Sequence, residues 1–397
     1  MTASPNRAMP LLIALLATIG PLGIDMYLPS IPAMADALGS SEGAVQLSLM
    51  TFFVGLMLGQ LLYGPLSDKF GRKPLIYLGL SIFTLGSIAC ALAETVQQLQ
   101  WLRFVQGLGG SIGMVIAFAI VKDQFQGPAM GKMISMVLAI LGLSPVAAPL
   151  IGDGLQQLGS WRTIFIFLAA YAAIVLIAVC TFLPETRTVE QRTQFQLRKT
   201  FSHYVKIATD RKFIFYALTL CIAQAGFFAY IAGSASVFIS EYHLSSTQFS
   251  LLFAVNAVGL IAAAILNPQL HEKFGPLKAY KIVNLGFLAV MAILLVCLYL
   301  GLNHLIILCA GLFMAVTLLG FIMPTGSQLA LMHQHTLVGT ASALLGSLQF
   351  GFGALATTLT GIYASSGSIS LISIIFICAL VSGLMCLILF PKKLLSA

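Results

Sequence analysis

The sequence predicts an all-α polytopic membrane protein with twelve transmembrane helices in two six-helix bundles. Three observations carry that expectation. Only 8% of the 397 residues are charged, against about 25% in soluble globular domains. Mean hydropathy is +0.99, and 36 glycines fit the higher glycine content of membrane helices. Twelve stretches are long and apolar enough to cross a bilayer, which takes about 20 residues. So little polar surface cannot coat a water-soluble body, which excludes a soluble enzyme, a secreted disulfide scaffold and a nucleic-acid-binding domain. The net charge of +8 does not point to nucleic acid, because the basic residues fall in short loops between apolar runs.

The spans are read at 9–35, 44–64, 74–93, 97–121, 132–155 and 162–183, then 213–239, 247–269, 278–299, 305–330, 339–364 and 370–390. Arg7 and the apolar run from Ala8 look like a signal peptide at first sight. The run exceeds the 7–15 apolar residues of a secretory signal, so it is read as an uncleaved first helix. Residues 184–212 form a long charged linker between bundles at 1–183 and 213–397. With both termini in the cytoplasm, 18 of the 20 Lys and Arg fall on the cytoplasmic side, as the positive-inside rule requires. The exceptions are Arg162, on the outer side, and Arg103, within a span.

An internal repeat supports the two halves. At an offset of 204, Leu66, Asp68, Lys69, Phe70 and Gly71 align with Leu270, Glu272, Lys273, Phe274 and Gly275. Each copy occupies the same loop of its half. Parallel halves of this kind are a transporter design, with the cargo site near the midplane between them.

Of the twelve Asp and Glu, eleven are placed in loops or at span ends and Asp25 alone well inside a span. It lies about 16 residues, or ~24 Å, from the start of that span. An aspartate at a helix centre costs about 2.5–3.5 kcal/mol to insert, so a functional role is the default. Arg103, ~9 Å below the outer surface against ~15 Å for Asp25, is the partner expected from depth. The six histidines (His203, His243, His271, His304, His333 and His335) are all assigned to loops. The seven cysteines sit in apolar segments without paired spacing, which disfavours disulfides and zinc sites alike. No metal and no cofactor is expected.

The first loop of the repeat, Gly64-Pro65-Leu66-Ser67-Asp68-Lys69-Phe70-Gly71-Arg72-Lys73, resembles the G-x-L-a-D-r-x-G-r-k signature of the major facilitator superfamily. Asp25-Met26-Tyr27-Leu28-Pro29-Ser30-Ile31-Pro32 is similar to the D-x-Y-L-P-x-x-P element of its Bcr/CflA drug/proton antiporters. Arg103 to Gly107 matches the R-x-x-x-G motif of the fourth span. Ser144-Pro145 with Ala148-Pro149-Leu150-Ile151-Gly152 resembles the antiporter motif of the fifth, and Gly339-Thr340-Ala341-Ser342-Ala343 in the eleventh is also similar. The second copy of the loop departs from the signature, with Pro276 and Leu277 where Arg72 and Lys73 stand in the first.

The resemblance implies the major facilitator fold and a proton-driven exporter of small hydrophobic or amphiphilic antibiotics in the bacterial inner membrane, acting as a monomer. It implies that Asp68 and Arg72 form a charge latch at the cytoplasmic mouth; Asp123 is a further acceptor for Arg72, and Gly64 and Gly71 suit tight turns and close helix approach. Asp25 and Arg103 are the expected proton-coupling pair, and Pro145, Pro149 and Gly152 shape the antiporter-motif helix. Contacts to cargo are sought at Tyr27, Gln106, Gln224, Phe228, Tyr230, Asn256, Met323, Gln328 and Gln349. The residues themselves do not fix direction, so an exporter or symporter of a metabolite or sugar stays open. No Walker A motif or large loop domain is present in the sequence, so ATP is not the energy source. A channel would need a selectivity ring, which one buried acid does not supply, and no cluster of catalytic residues suggests an embedded enzyme.

Overall fold

A computed structural model describes residues 8–187, 190, 197–334 and 337–388. Arg7, Arg192, His335, Lys392 and Lys393 lie outside the described residues. Twelve helical segments are long and apolar enough to span a bilayer, and no strand occurs among the described residues.

The first span is not one helix. α1 (Ala8–Asp25) is followed by a turn, a single 3-10 turn (Leu28–Ser30) and the short α2 (Ile31–Ala37). Pro29 has no N–H to give to the Asp25 carbonyl, and it disfavours helical backbone at the residue before it. The other spans of the first half are α3 (Glu42–Phe70), α4 (Arg72–Ala91), α5 (Val96–Gln124), α6 (Gly127–Leu158) and α7 (Trp161–Phe182). The second half holds α9 (Arg211–Ala235), which runs on as a π-helical turn to Glu241, α10 (Ser246–Phe274), α11 (Pro276–Tyr299), α12 (Leu305–Leu331), α13 (Val338–Ile362) and α14 (Gly367–Ile388). The linker carries the unexpected α8 (Leu197–Ala208), packed on α9 and α13, with Tyr204 Oη donating to the Leu61 carbonyl at 2.9 Å.

Packing repeats between the halves. α1 lies against α5, α6 and α7, as α9 lies against α12, α13 and α14; α3 packs on α5, as α10 packs on α12. Contacts between halves pair the same way, α3 with α13 and α6 with α10. Small residues allow this closeness: a Cβ on Gly55 of α3 would lie 2.3 Å from the Phe104 carbonyl oxygen, and one on Gly259, 204 residues later, 2.4 Å from Thr317 Oγ1. At the repeated loop, Gly71 and Gly275 both take positive φ, +97° and +72°, a backbone that L side chains rarely adopt. Below, the face carrying the linker is the linker end and the opposite face is the far end.

Candidate functional site

Asp25 closes α1 and is 4% exposed. Where a helix stops, its last carbonyls have no intrahelical donors, and one of these anchors Arg103. Arg103 Nη2 donates to the Gly23 carbonyl at 2.9 Å, and Nη1 to Gln106 Oε1 at 2.6 Å. The guanidinium lies 4.0 Å from the Phe52 ring centroid and 4.5 Å from that of Tyr27, a cation–π setting. The expected Asp25–Arg103 pair is therefore not formed. Arg103 serves the helix end and an aromatic box instead. No ion pair to Asp25 is made among the described residues.

Two of the proposed cargo contacts, Tyr27 and Gln106, lie at that box. Tyr27 is buried beside Arg103, and Gln106 is fully buried, its Nε2 donating to Ser87 Oγ at 2.7 Å. The second half brings others together. Asn256 Nδ2 donates to Tyr230 Oη at 2.7 Å, and Tyr230 stacks on Phe253 at 5.4 Å. The side-chain carbonyls of Asn256 and Gln224 are buried without partners among the described residues. Phe228 packs against Phe53 at 4.6 Å and Phe350 at 5.8 Å, an aromatic cluster across the two halves with no periodic signal along the chain. Met323 and Gln349 are half-buried and Gln328 is exposed; no hydrogen bond or ring contact joins these three to the other candidates among the described residues.

Pro145 and Pro149 both lie inside a continuous α6. A Cβ on Gly152 would lie 1.8 Å from the Met26 carbonyl oxygen, so α6 presses on the break in the first span right beside Asp25. Asp153 is a second acidic side chain inside a span, against the expectation that Asp25 stands alone. It is 4% exposed and accepts from Thr247 Oγ1 at 2.7 Å. The halves meet at the far end through this bond, through Gln46 Nε2 to Ser236 Oγ at 2.7 Å, and through Ser250 Oγ to the Pro149 carbonyl at 3.2 Å. A cavity of about 690 Å³, lined in part by Glu42, Glu241 and five serines, opens at the same face.

At the linker end Arg72 gathers the charges. Its Nη1 donates to Asp68 at 2.8 Å and to Ser67 Oγ at 2.6 Å, and its Nε to Asp123 at 2.9 Å. Sequence reasoning missed Glu185 and Arg187 in the linker. Glu185 accepts from the backbone N–H groups of Arg72 and Lys73 at 3.0 and 3.1 Å, and Arg187 Nη1 reaches Asp68 at 2.6 Å. The signal was a carboxylate two residues past the end of a span, opposite the exposed N-terminus of another helix. Gly71 makes the turn, but Gly64 lies inside α3 with open space around its Cβ position, so neither a turn nor a close approach requires it. His271 is also not in a loop. It lies in α10, with Nε2 2.9 Å from Thr325 Oγ1, and His203 lies in α8.

The family model described as Major Facilitator Superfamily matches residues 13–358. The chain belongs to the major facilitator superfamily. It is 32% identical over 391 residues to YdgK, an uncharacterised MFS-type transporter of Bacillus subtilis, covering 96% of this chain and 95% of that one. A bicyclomycin resistance protein homolog of Haemophilus influenzae is 29% identical, covering 88% of this chain and 87% of its own. A chloramphenicol resistance protein of Pseudomonas aeruginosa is 30% identical, with 92% and 82% covered. These relatives put the chain in the Bcr/CflA branch of the superfamily. Among solved structures, a D-xylose-proton symporter superposes with a TM-score of 0.77 at 14% identity, covering 97% of this chain and 98% of that one; that likeness is one of fold. The protein is a multi-pass membrane transporter of the superfamily rather than an enzyme.

Proposed function

We propose that this transporter is a proton-coupled exporter of small hydrophobic or amphiphilic drugs, working as a monomer in the bacterial cytoplasmic membrane. Bundles at 1–183 and 213–397, joined by the linker at 184–212, rock about a midplane site. The distribution of basic residues supports a cytoplasmic linker end and cytoplasmic termini, so the far end faces the outside. In this reading Asp25 takes up and releases the proton.

The observation that carries the reading is the position of Asp25: buried, at the end of a broken helix, with no ion pair among the described residues. A carboxyl without a fixed cation changes its protonation state as the halves part and water reaches it. Arg103 holds the break that carries it, and the aromatic cluster of Phe53, Phe228 and Phe350 offers apolar surface for cargo. Arg72 with Asp68 and Asp123 is the latch of the cytoplasmic mouth. The resistance proteins among the relatives support drugs as cargo.

The test is drug-induced proton release from reconstituted vesicles, with a panel of drugs first screened for resistance in a pump-deficient host. Asp25→Asn abolishes the release while the protein stays inserted. Normal release from that variant overturns the role of Asp25, and resistance to no drug in the panel overturns the cargo.

A further inference from the structure

The mechanism above leaves one buried acid unused. Asp153 lies in α6, and no ion pair to it is made among the described residues. Its Oδ2 accepts from Thr247 Oγ1 at 2.7 Å and from Gln157 Nε2 at 2.9 Å. The same Gln157 amide donates to Thr247 Oγ1 at 3.1 Å, which closes a ring of three bonds. Two of its members belong to the first half and Thr247 to the second. The other oxygen, Oδ1, is buried with no partner among the described residues.

We propose that Asp153, Gln157 and Thr247 form the latch that holds the far-end gate shut, with Asp153 as its positioning residue. Bonds to a charged acceptor are the strong ones, so the ring grips while the seam is closed. The bare Oδ1 works the other way. A buried carboxylate with an empty acceptor site is stabilised by water as soon as the seam parts, so the latch releases without a large barrier. Its position ties it to the site: Gly152, the preceding residue, bears on the Met26 carbonyl, one residue after Asp25. A shift of the first-span break is thus passed to the residue that grips α10. The proposal rests on alternating access as read above; it does not depend on proton coupling or on a drug as cargo.

Ser250 is fully buried on the same face of α10 and bonded across the seam, which suits it to report gate opening. Ser250→Cys in lipid nanodiscs, where both faces meet solvent, is labelled with a charged maleimide and followed by intact mass, with the chain lacking that substitution as blank. In this background Thr247→Val and Asp153→Ala each raise the labelling rate about tenfold, the equivalent of ~1.4 kcal/mol. Thr247→Ser, which keeps the hydroxyl, leaves it unchanged. The double variant labels no faster than the faster single one, because the two residues share one interaction. Labelling of Thr247→Val at the starting rate, or a double variant whose effect is the product of the singles, overturns the latch. Neither readout uses transport, so the latch can stand or fall apart from the exporter reading.

Discussion

Arg103 donates to the carbonyl of Gly23, two residues before Asp25, and not to the Asp25 carboxylate. The cation holds the end of the broken helix in place, and the acid at that end makes no ion pair among the described residues. Anchor and proposed proton site are thereby separated. In the proposed cycle the guanidinium does not have to give up a salt bridge when the carboxyl changes its charge.

Arg103→Ala therefore costs stability as well as transport. It leaves the Gly23 carbonyl without its side-chain donor and Gln106 Oε1 with only the weak Cys90 thiol, and it opens a void among the rings of Phe52, Tyr27 and Phe165. The two losses together come to about 3 kcal/mol. The purified variant melts several degrees below wild type, and R103K recovers little, because an ammonium cannot bridge both acceptors while lying flat against a ring. Wild-type melting of Arg103→Ala would show that the box does not hold the break.

The twelve spans, the two halves and the presence of a buried acid were legible because they rest on hydropathy and repetition, which are written along the chain. The partners of that acid were not. Depth along two helices put Asp25 and Arg103 within reach, but depth carries no azimuth, and at the break after Asp25 the guanidinium takes the Gly23 carbonyl instead. Pro29 was the visible cause of that break; its effect on direction depends on what packs around it. The burial of Asp153 was hidden for a related reason. Its place near the end of α6 reads as a helix terminus, and only the arrival of Thr247 from α10 buries it. Glu185 needed the linker to fold back on α4.

Glu185 caps the first turn of α4 by accepting from Arg72 N and Lys73 N, and it also accepts from Arg187 N at 3.1 Å. Glu185→Ala removes an anion from a helix N-terminus and leaves backbone donors without an acceptor, worth about 1–2 kcal/mol. Trypsin then cuts after Arg187 faster than in wild type, as the linker leaves the first half. An unchanged cutting rate would mean that the contact does not hold the linker.

The two glycines of the signature loop separate cleanly. Gly71→Ala forces a side chain onto a φ of +97° and destabilises by about 1–2 kcal/mol. Gly64→Ala puts a methyl into open space within a helix, and the change is neutral or slightly stabilising, by up to ~1 kcal/mol. Thermal melts of the two variants should move in opposite directions or leave Gly64→Ala at wild type. Equal losses would place Gly64 in a contact that the present arrangement lacks.

Gly152 and Gly154 make a matched pair two residues apart on α6. A methyl on Gly152 would stand 1.8 Å from the Met26 carbonyl oxygen and 2.7 Å from its carbon, whereas Gly154 has nothing within 4 Å of its Cβ position. Backbone cannot yield as a flexible side chain can, so Gly152→Ala pushes the break that carries Asp25 away from α6. Overpacking of this kind costs about 1–3 kcal/mol, and the larger consequence is that Asp25 is displaced from its present place at the break. Drug-induced proton release from vesicles is lost in Gly152→Ala and kept in Gly154→Ala, at similar levels of inserted protein. Full activity in Gly152→Ala would show that the contact between α6 and the broken span plays no part in transport, and would leave Asp25 coupled to the far-end gate by some other path.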